Sequence, residues 1–385
     1  EKVGNVTVAA QNTNSYSTSA TSVSAGVGRA AVAVAISDVT NNAVANLGAS
    51  VPAAAGAGNI NVYSGSNTTS NSVSASSTVG SNFIVSNVFS AIGSMSTSVG
   101  SLFAPGGPFD SSRLYSSTAT QGTTATMRAG ITLALNFASL SSSASIAALA
   151  PDTQGDMRAS GAAPAVVGSG NVSVISALTD AGLRGNAESS IASNVVGTES
   201  RPTTGSAASM AVNVVQVTQS SDAFVGSGAS VSGSHIGVKA DATTPITITW
   251  LDWDSFSAVT SHISGSFGVV SNILTSYANA TADSASLGIS GAVNYFDVTT
   301  NTTAWVASGA TLTQTGSSSC VSASGTCWST ALPASLAGAP DPYAWTKDIQ
   351  VAATTTNASI NVGGNFSWLK LFGTNSTSTE GTVIG

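Results

Sequence analysis

The chain has 385 residues, of which 42% are hydrophobic and only 7% charged, against ~25% charged in an ordinary soluble protein. A formal charge of −7, with ten Lys plus Arg and no basic cluster, lacks the electrostatic footprint of a nucleic-acid binder and disfavours anionic membranes. High hydrophobicity without high net charge argues against a disordered chain, so the apolar content is expected to be buried and the surface wetted by Ser, Thr, Asn and Gly.

The first predicted element is Gly4-Asn5-Val6-Thr7-Val8-Ala9-Ala10, a short alternating stretch with one apolar face. It recurs at Gly58–Ser64, Gly170–Ser176, Ser234–Ala240 and Lys347–Ala353. Counted on the first apolar residue, the steps are 54 (6 to 60), 112 (60 to 172), 64 (172 to 236) and 113 (236 to 349). Short and long units alternate, giving predicted repeats at 1–64, 65–176, 177–240, 241–353 and the start of another at 354–385. Repetition of this kind indicates an elongated array that works by length and surface. The chain starts inside a repeat, so it reads as a mature or cut segment of something longer.

A second block precedes four of the five signatures. It begins with Val34–Val39 and Ala45–Val51, and returns in degenerate form from Leu135 through Ile146. Fuller copies are Ala211–Val217 with Ala223–Val231, and Ala292–Val298 with Ala304–Leu312. Ala35 to Ala45, Asn136 to Ile146, Asn213 to Ala223 and Asn294 to Ala304 are aligned by a common ten-residue step. The polar groups at 40–42, 219–222 and 300–303 read as turns between two strands, and a Gly-containing turn leads to the signature. Short strands with polar corners suit the rungs of a β-solenoid with a narrow core of Ala, Val and Ile.

Between these blocks lie the inserts. Val85, Val88, Phe89, Ile92, Met95, Val99, Leu102 and Phe103 share a helical face, predicting an amphipathic helix near 83–104. Phe256, Val259, Ile263, Phe267, Val270, Ile273, Leu274 and Tyr277 predict a second near 255–278. Strands in a wider rung are the alternative for both. A third such insert starts at Asn365, with Trp368 in it. Residues 151–168 and 313–347, rich in Pro, Gly and Ala, read as loops leaving a rung.

Chemistry-bearing residues are sparse. His235 falls on the polar phase of a signature strand and reads as a surface imidazole; His262 lies in the second predicted helix. Asp252 and Asp254, beside Trp250 and Trp253, either bind calcium or a sugar, or Asp254 or Ser255 simply caps the helix starting at Phe256; the cap is preferred. Cys320 and Cys327 read as a local disulfide, with two unpaired thiols the alternative, and lack the further ligands of a zinc site. No Gly-x-Ser-x-Gly elbow or phosphate loop occurs. No catalytic residue, cofactor or metal is therefore predicted. The candidate interaction surface is Phe89, Ile92, Phe103, Trp250, Trp253, Phe256, Ile263, Phe267 and Trp368.

The cycle from Ala211 to Ala240, with Ala25-Gly26-Val27-Gly28 ahead of Ala31–Val34, resembles the repeats of giant bacterial filamentous adhesins of the leukotoxin and haemagglutinin-like types. The resemblance covers most of the chain loosely. It implies an exported, all-β, right-handed parallel β-helix acting in bacterial surface attachment, extracellular and without enzymatic activity. The expected partners are copies of itself or neighbouring filament chains, and surface glycans or host matrix proteins. A β-helical polysaccharide-binding or polysaccharide-degrading protein is the alternative. The predicted helices and the Cys320–Cys327 loop depart from the simple repeat and point to fibre assembly as a specialised role.

Overall fold

The computed structural model describes residues 4–24, 30–53, 56–79, 127–151, 157–159, 162–191, 206–245, 276–282, 287–316, 325–331, 343–359 and 361–364. The chain is all-β. Its first strands are β1 (Val6–Ser24), β2 (Ala30–Asn46), β3 (Ile60–Val79), β4 (Met127–Ile146), β5 (Leu149–Pro151), β6 (Met157–Ala159) and β7 (Ala165–Val167). Next come β8 (Val172–Asp180), β9 (Leu183–Ile191), β10 (Ser206–Val225), β11 (Ser230–Gly233), β12 (Ile236–Thr244) and β13 (Ser276–Ala282). The last are β14 (Leu287–Val306), β15 (Thr311–Gln314), β16 (Trp328–Thr330), β17 (Tyr343–Trp345), β18 (Ile349–Asn357) and β19 (Asn361–Gly364).

Three parallel sheets share the core. The first has eight strands: β18-β12-β8-β3-β9-β13-β19 in order, with β1 also on β3. The second is β14-β10-β4-β2 and the third β15-β11-β7, the latter extended by a single bridge between Val51 and Val166. The signature strands lie side by side in the first sheet. Val6 pairs with Ile60, Ile60 with Val172, Val172 with Ile236 and Ile236 with Ile349. These are the residues that the repeat aligned. Parallel neighbours need long crossovers, and here much of each crossover is a visit to the other two sheets.

The structure differs from the sequence reading in four places. The polar groups at 40–42, 219–222 and 300–303 are not turns, because β2, β10 and β14 run straight through them. Their inward residues find partners in other strands: Gln219 Oε1 accepts from Thr244 and Thr300, each at 3.0 Å, and Ser221 Oγ lies 2.9 Å from Ser176 Oγ. Such bonds remove the need for a local turn. The degenerate block was aligned two residues off: Ala134 and Ala144, not Asn136 and Ile146, pair with Ala35 and Ala45 and with Asn213 and Ala223. A two-residue slip leaves every side chain on its face, so alternation alone cannot detect it. The end of the second predicted helix, Ser276–Ala278, is strand β13; the rest of that helix and all of the first lie outside the described residues. Finally, the predicted loop 313–347 contains the antiparallel pair β16–β17, while 151–168 starts at the last residue of β5, holds its antiparallel partner β6 and includes β7 of the third sheet.

The main core draws on all three sheets. Ile60, Val62, Val172, Val174, Ile236 and Val238 meet Ile146 and Val225 from the second sheet and Val166 and Val231 from the third. Each such side chain contributes on the order of 1.5–3 kcal/mol. Further along the strands the first two sheets meet through Ala33, Ala35, Ala75, Ala134, Ala187, Ala211 and Ala280, which explains the weight of alanine in the composition. Serines fill the gaps between them and bond one another: Ser77 Oγ donates to Ser189 Oγ at 3.0 Å, and Ser209 Oγ donates to it at 2.8 Å. The turns into the third sheet use Gly228 (φ 71°) and Gly309 (φ 77°), backbone angles that an L side chain rarely adopts.

Candidate functional site

The hairpin of β16 and β17 folds back over the outer side of the first sheet. Tyr63 and Ile175, adjacent in register, point outward there and are buried beneath Trp328, Tyr343 and Trp345. Trp328 and Trp345 stack at 4.8 Å between ring centroids, and both indole N–H groups are satisfied. Trp328 Nε1 donates to Lys347 O at 2.9 Å and Trp345 Nε1 to Thr330 Oγ1 at 3.0 Å. Lys239 Nζ lies 4.2 Å from the centre of the Tyr343 ring and 3.3 Å from Asp241 Oδ2. Cys327, packed against this cluster, is disulfide-bonded. The only other cysteine of the sequence, Cys320, lies outside the described residues.

A polar ladder leads to the same place. Asn5 Oδ1 accepts from the backbone of Asn59, and Asn59 Oδ1 accepts from the backbone of Asn171, both at 2.9 Å. Asn171 Oδ1 lies 2.9 Å from His235 Nδ1, and His235 Nε2 lies 3.4 Å from Asp348 Oδ1. His235 also stacks on Trp328, 5.5 Å between centroids. The imidazole is thus a structural link between the strand corner and the hairpin.

The outer side of the second sheet presents another surface. Val32, Val34 and Ile36 on β2 point to solvent, followed by Ile131 with half-buried Leu133 and Leu135 on β4. Met210 with half-buried Val212 and Val214 on β10, and Ile289, Val293 and Tyr295 on β14, complete the face. Ile36, Leu135, Val214 and Tyr295 form one row across all four strands. Val32 is 54% exposed and Ile36 55%, whereas the alanines between them are buried. The face ends at Asp38 and Asp297, two residues further on and in the next outward-facing row. Beyond it, Trp305, 41% exposed, stacks on Phe224 at 4.7 Å. Sequence reasoning missed this face. The available signal was small residues on one phase and large ones on the other, from Ala31 to Ile36.

Among the described residues, two acids are buried. Asp180 is pushed up to about 7 by desolvation, against the opposing pull of Asn71, Gln219 and the Gly182 backbone. Burial alone raises Glu188 well above the ordinary range. Among the described residues, no group of three or more His, Cys, Asp or Glu is placed to hold a metal ion. A cleft of about 330 Å³ lies between β14 and β18, lined by Thr244, Phe296, Asp297, Val298 and Asn357–Ser359, with Asp297 its one charged group.

The predicted interaction residues Phe89, Ile92, Phe103, Trp250, Trp253, Phe256, Ile263, Phe267 and Trp368 lie outside the described residues, as do Asp252, Asp254 and His262. No protein-family model matches the chain, no curated protein matches it, and no solved structure matches it.

Proposed function

We propose that the chain is a segment of an extracellular structural or adhesive filament. In this reading the three parallel sheets are the faces of a right-handed β-solenoid, the hand that parallel crossovers favour, and each signature strand opens a rung. The chain acts at a bacterial cell surface by presenting long, nearly uncharged faces, and its partners are copies of itself or neighbouring filament chains, and host matrix proteins. One observation carries the reading. The repeat step read from the sequence is the hydrogen-bonding register between neighbouring strands, from Val6 through Ile60, Val172 and Ile236 to Ile349. Successive units therefore stack along one direction. The apolar core continues to both ends of the stack, where Val6, Val8 and Ala10 at one and Ala304, Val306 and Leu312 at the other pack against it partly buried. Electron microscopy of the purified native material tests this. Long fibres or rods with a regular axial repeat are expected; compact particles without an axis would overturn it.

Glycan binding is the second reading, favoured by the exposed Trp305 stacked on Phe224, an aromatic platform of the kind sugar rings stack on. A glycan array read with the native chain and with Trp305→Ala tests it. Binding lost in the variant supports it, and no binding by either form removes it.

A further inference from the structure

Where β8 gives way to β9, the core beneath the first sheet is polar. β8 ends at Asp180 and β9 starts at Leu183, while β3 runs on past the break: Thr68 pairs with Asp180 and Asn71 with Leu183. Thr68, Asn71, Asp180 and Gln219 are all fully buried there. Asn71 Nδ2 donates to Asp180 Oδ2 at 3.3 Å, and Asn71 Oδ1 accepts from Asn136 Nδ2 at 3.0 Å. Gln219 Oε1 is used by the hydroxyls of Thr244 and Thr300, which turns the amide nitrogen away from them. Gln219 is near enough to the carboxylate to favour its ionised form, yet its Nε2 makes no hydrogen bond of ordinary geometry. Asp180 Oδ1 and Thr68 Oγ1 likewise make no hydrogen bond of ordinary geometry, although the Gly182 N–H also lies near the carboxylate.

An acceptor, a donor and a hydroxyl, none with a hydrogen bond of ordinary geometry, are grouped around one carboxylate. Leaving each unsatisfied costs the desolvation of that group, and native interiors avoid this with bridging water that makes about three hydrogen bonds. We propose that Thr68, Asp180 and Gln219 bind one water molecule in the core at the β8–β9 break, the water donating to Asp180 Oδ1 and accepting from Gln219 Nε2. The donor set separates water from a metal ion, because two amide N–H groups, Asn71 Nδ2 and Gln219 Nε2, face the carboxylate. A cation would meet the wrong end of both dipoles. The inference does not depend on the proposed function.

The test is an atomic-resolution crystal structure of the full chain. A single density peak at hydrogen-bond distance, about 2.7–3.2 Å, from both Asp180 Oδ1 and Gln219 Nε2 is expected. A direct Gln219–Asp180 hydrogen bond with no peak would overturn the proposal. So would an anomalous scatterer with oxygen ligands at about 2.3–2.6 Å. Oxygen-17 relaxation dispersion in solution gives an independent readout. The native chain should hold one more long-lived water than Gln219→Leu, and equal counts would count against the site.

Discussion

Trp345 rests on Gly237: a Cβ at residue 237 would lie 2.5 Å from Cζ2 and Cζ3 of the indole, so the ring occupies the volume that a side chain would need. Neighbouring signature strands carry Asn61, Ser173 and Gln350 at this register position. The glycine makes one site on the outer face flat enough for an indole. Gly237→Ala should displace the hairpin and cost on the order of 1–3 kcal/mol, as overpacking does. Near-ultraviolet circular dichroism should show the tryptophan signal weaken together with a lower Tm. An unchanged spectrum would mean that the hairpin does not sit there in solution.

Asn213 bridges three elements. Its Nδ2, whose two hydrogens are shared among three acceptors, lies 3.1 Å from Gly185 O, 2.7 Å from Ser276 Oγ and 2.9 Å from Asn294 Oδ1, joining β10 to β9, β13 and β14. Asn213→Ala leaves buried acceptors without that donor and opens a small void, so a loss of about 2–4 kcal/mol in urea unfolding is expected. Substitution at the exposed Thr218 on the same strand serves as the control and should change stability by less than about 0.5 kcal/mol.

Asp180 makes stability depend on pH in a defined direction. Its folded pKa, about 7, lies above the ordinary 3.8, so the folded state binds a proton that the unfolded state gives up. The stability this proton confers is complete below about pH 4 and is lost as pH rises through about 7. The shift corresponds to about 4 kcal/mol. Glu188, raised by burial, acts in the same direction. Urea titrations at pH 5 and pH 8 should show the native chain losing more stability over that interval than Asp180→Asn does. Parallel losses would show that Asp180 titrates normally.

The outer face of the second sheet should govern association. Val34→Lys with Val293→Lys places two charges on solvent-facing positions, so the Tm should barely change while light scattering and dye binding at high concentration fall. A large drop in Tm instead would mean that this face is covered in solution.

The register of the first sheet was legible because each signature strand combines alternation with a polar residue just ahead of it. Asn5, Asn59, Asn171, His235 and Asp348 are that residue, and in the fold they contact one another in sequence. The long strands of the second sheet were harder to read. Polar residues at 219–222 look like a turn when their partners Thr244 and Thr300 are unknown. The hairpin over Tyr63 was illegible for a related reason. Tyr63 and Trp345 are far apart in the chain, and the glycine that lets Trp345 approach sits in a third segment. The apolar outer face was hidden by the habit of assigning large residues to the interior, whereas Ala33 and Ala35 fill it and Val34 and Ile36 do not.

The register has a mechanical consequence. Each signature strand is held chiefly by the strands beside it, so tension applied at the two ends of the chain peels one end strand at a time. The chain between Val6 and Ile60, Ile60 and Val172, Val172 and Ile236, and Ile236 and Ile349 is then released in turn. At ~3.5 Å per residue, the increments alternate between roughly 20 nm and roughly 40 nm of slack. Under tension the chain therefore extends in unequal steps.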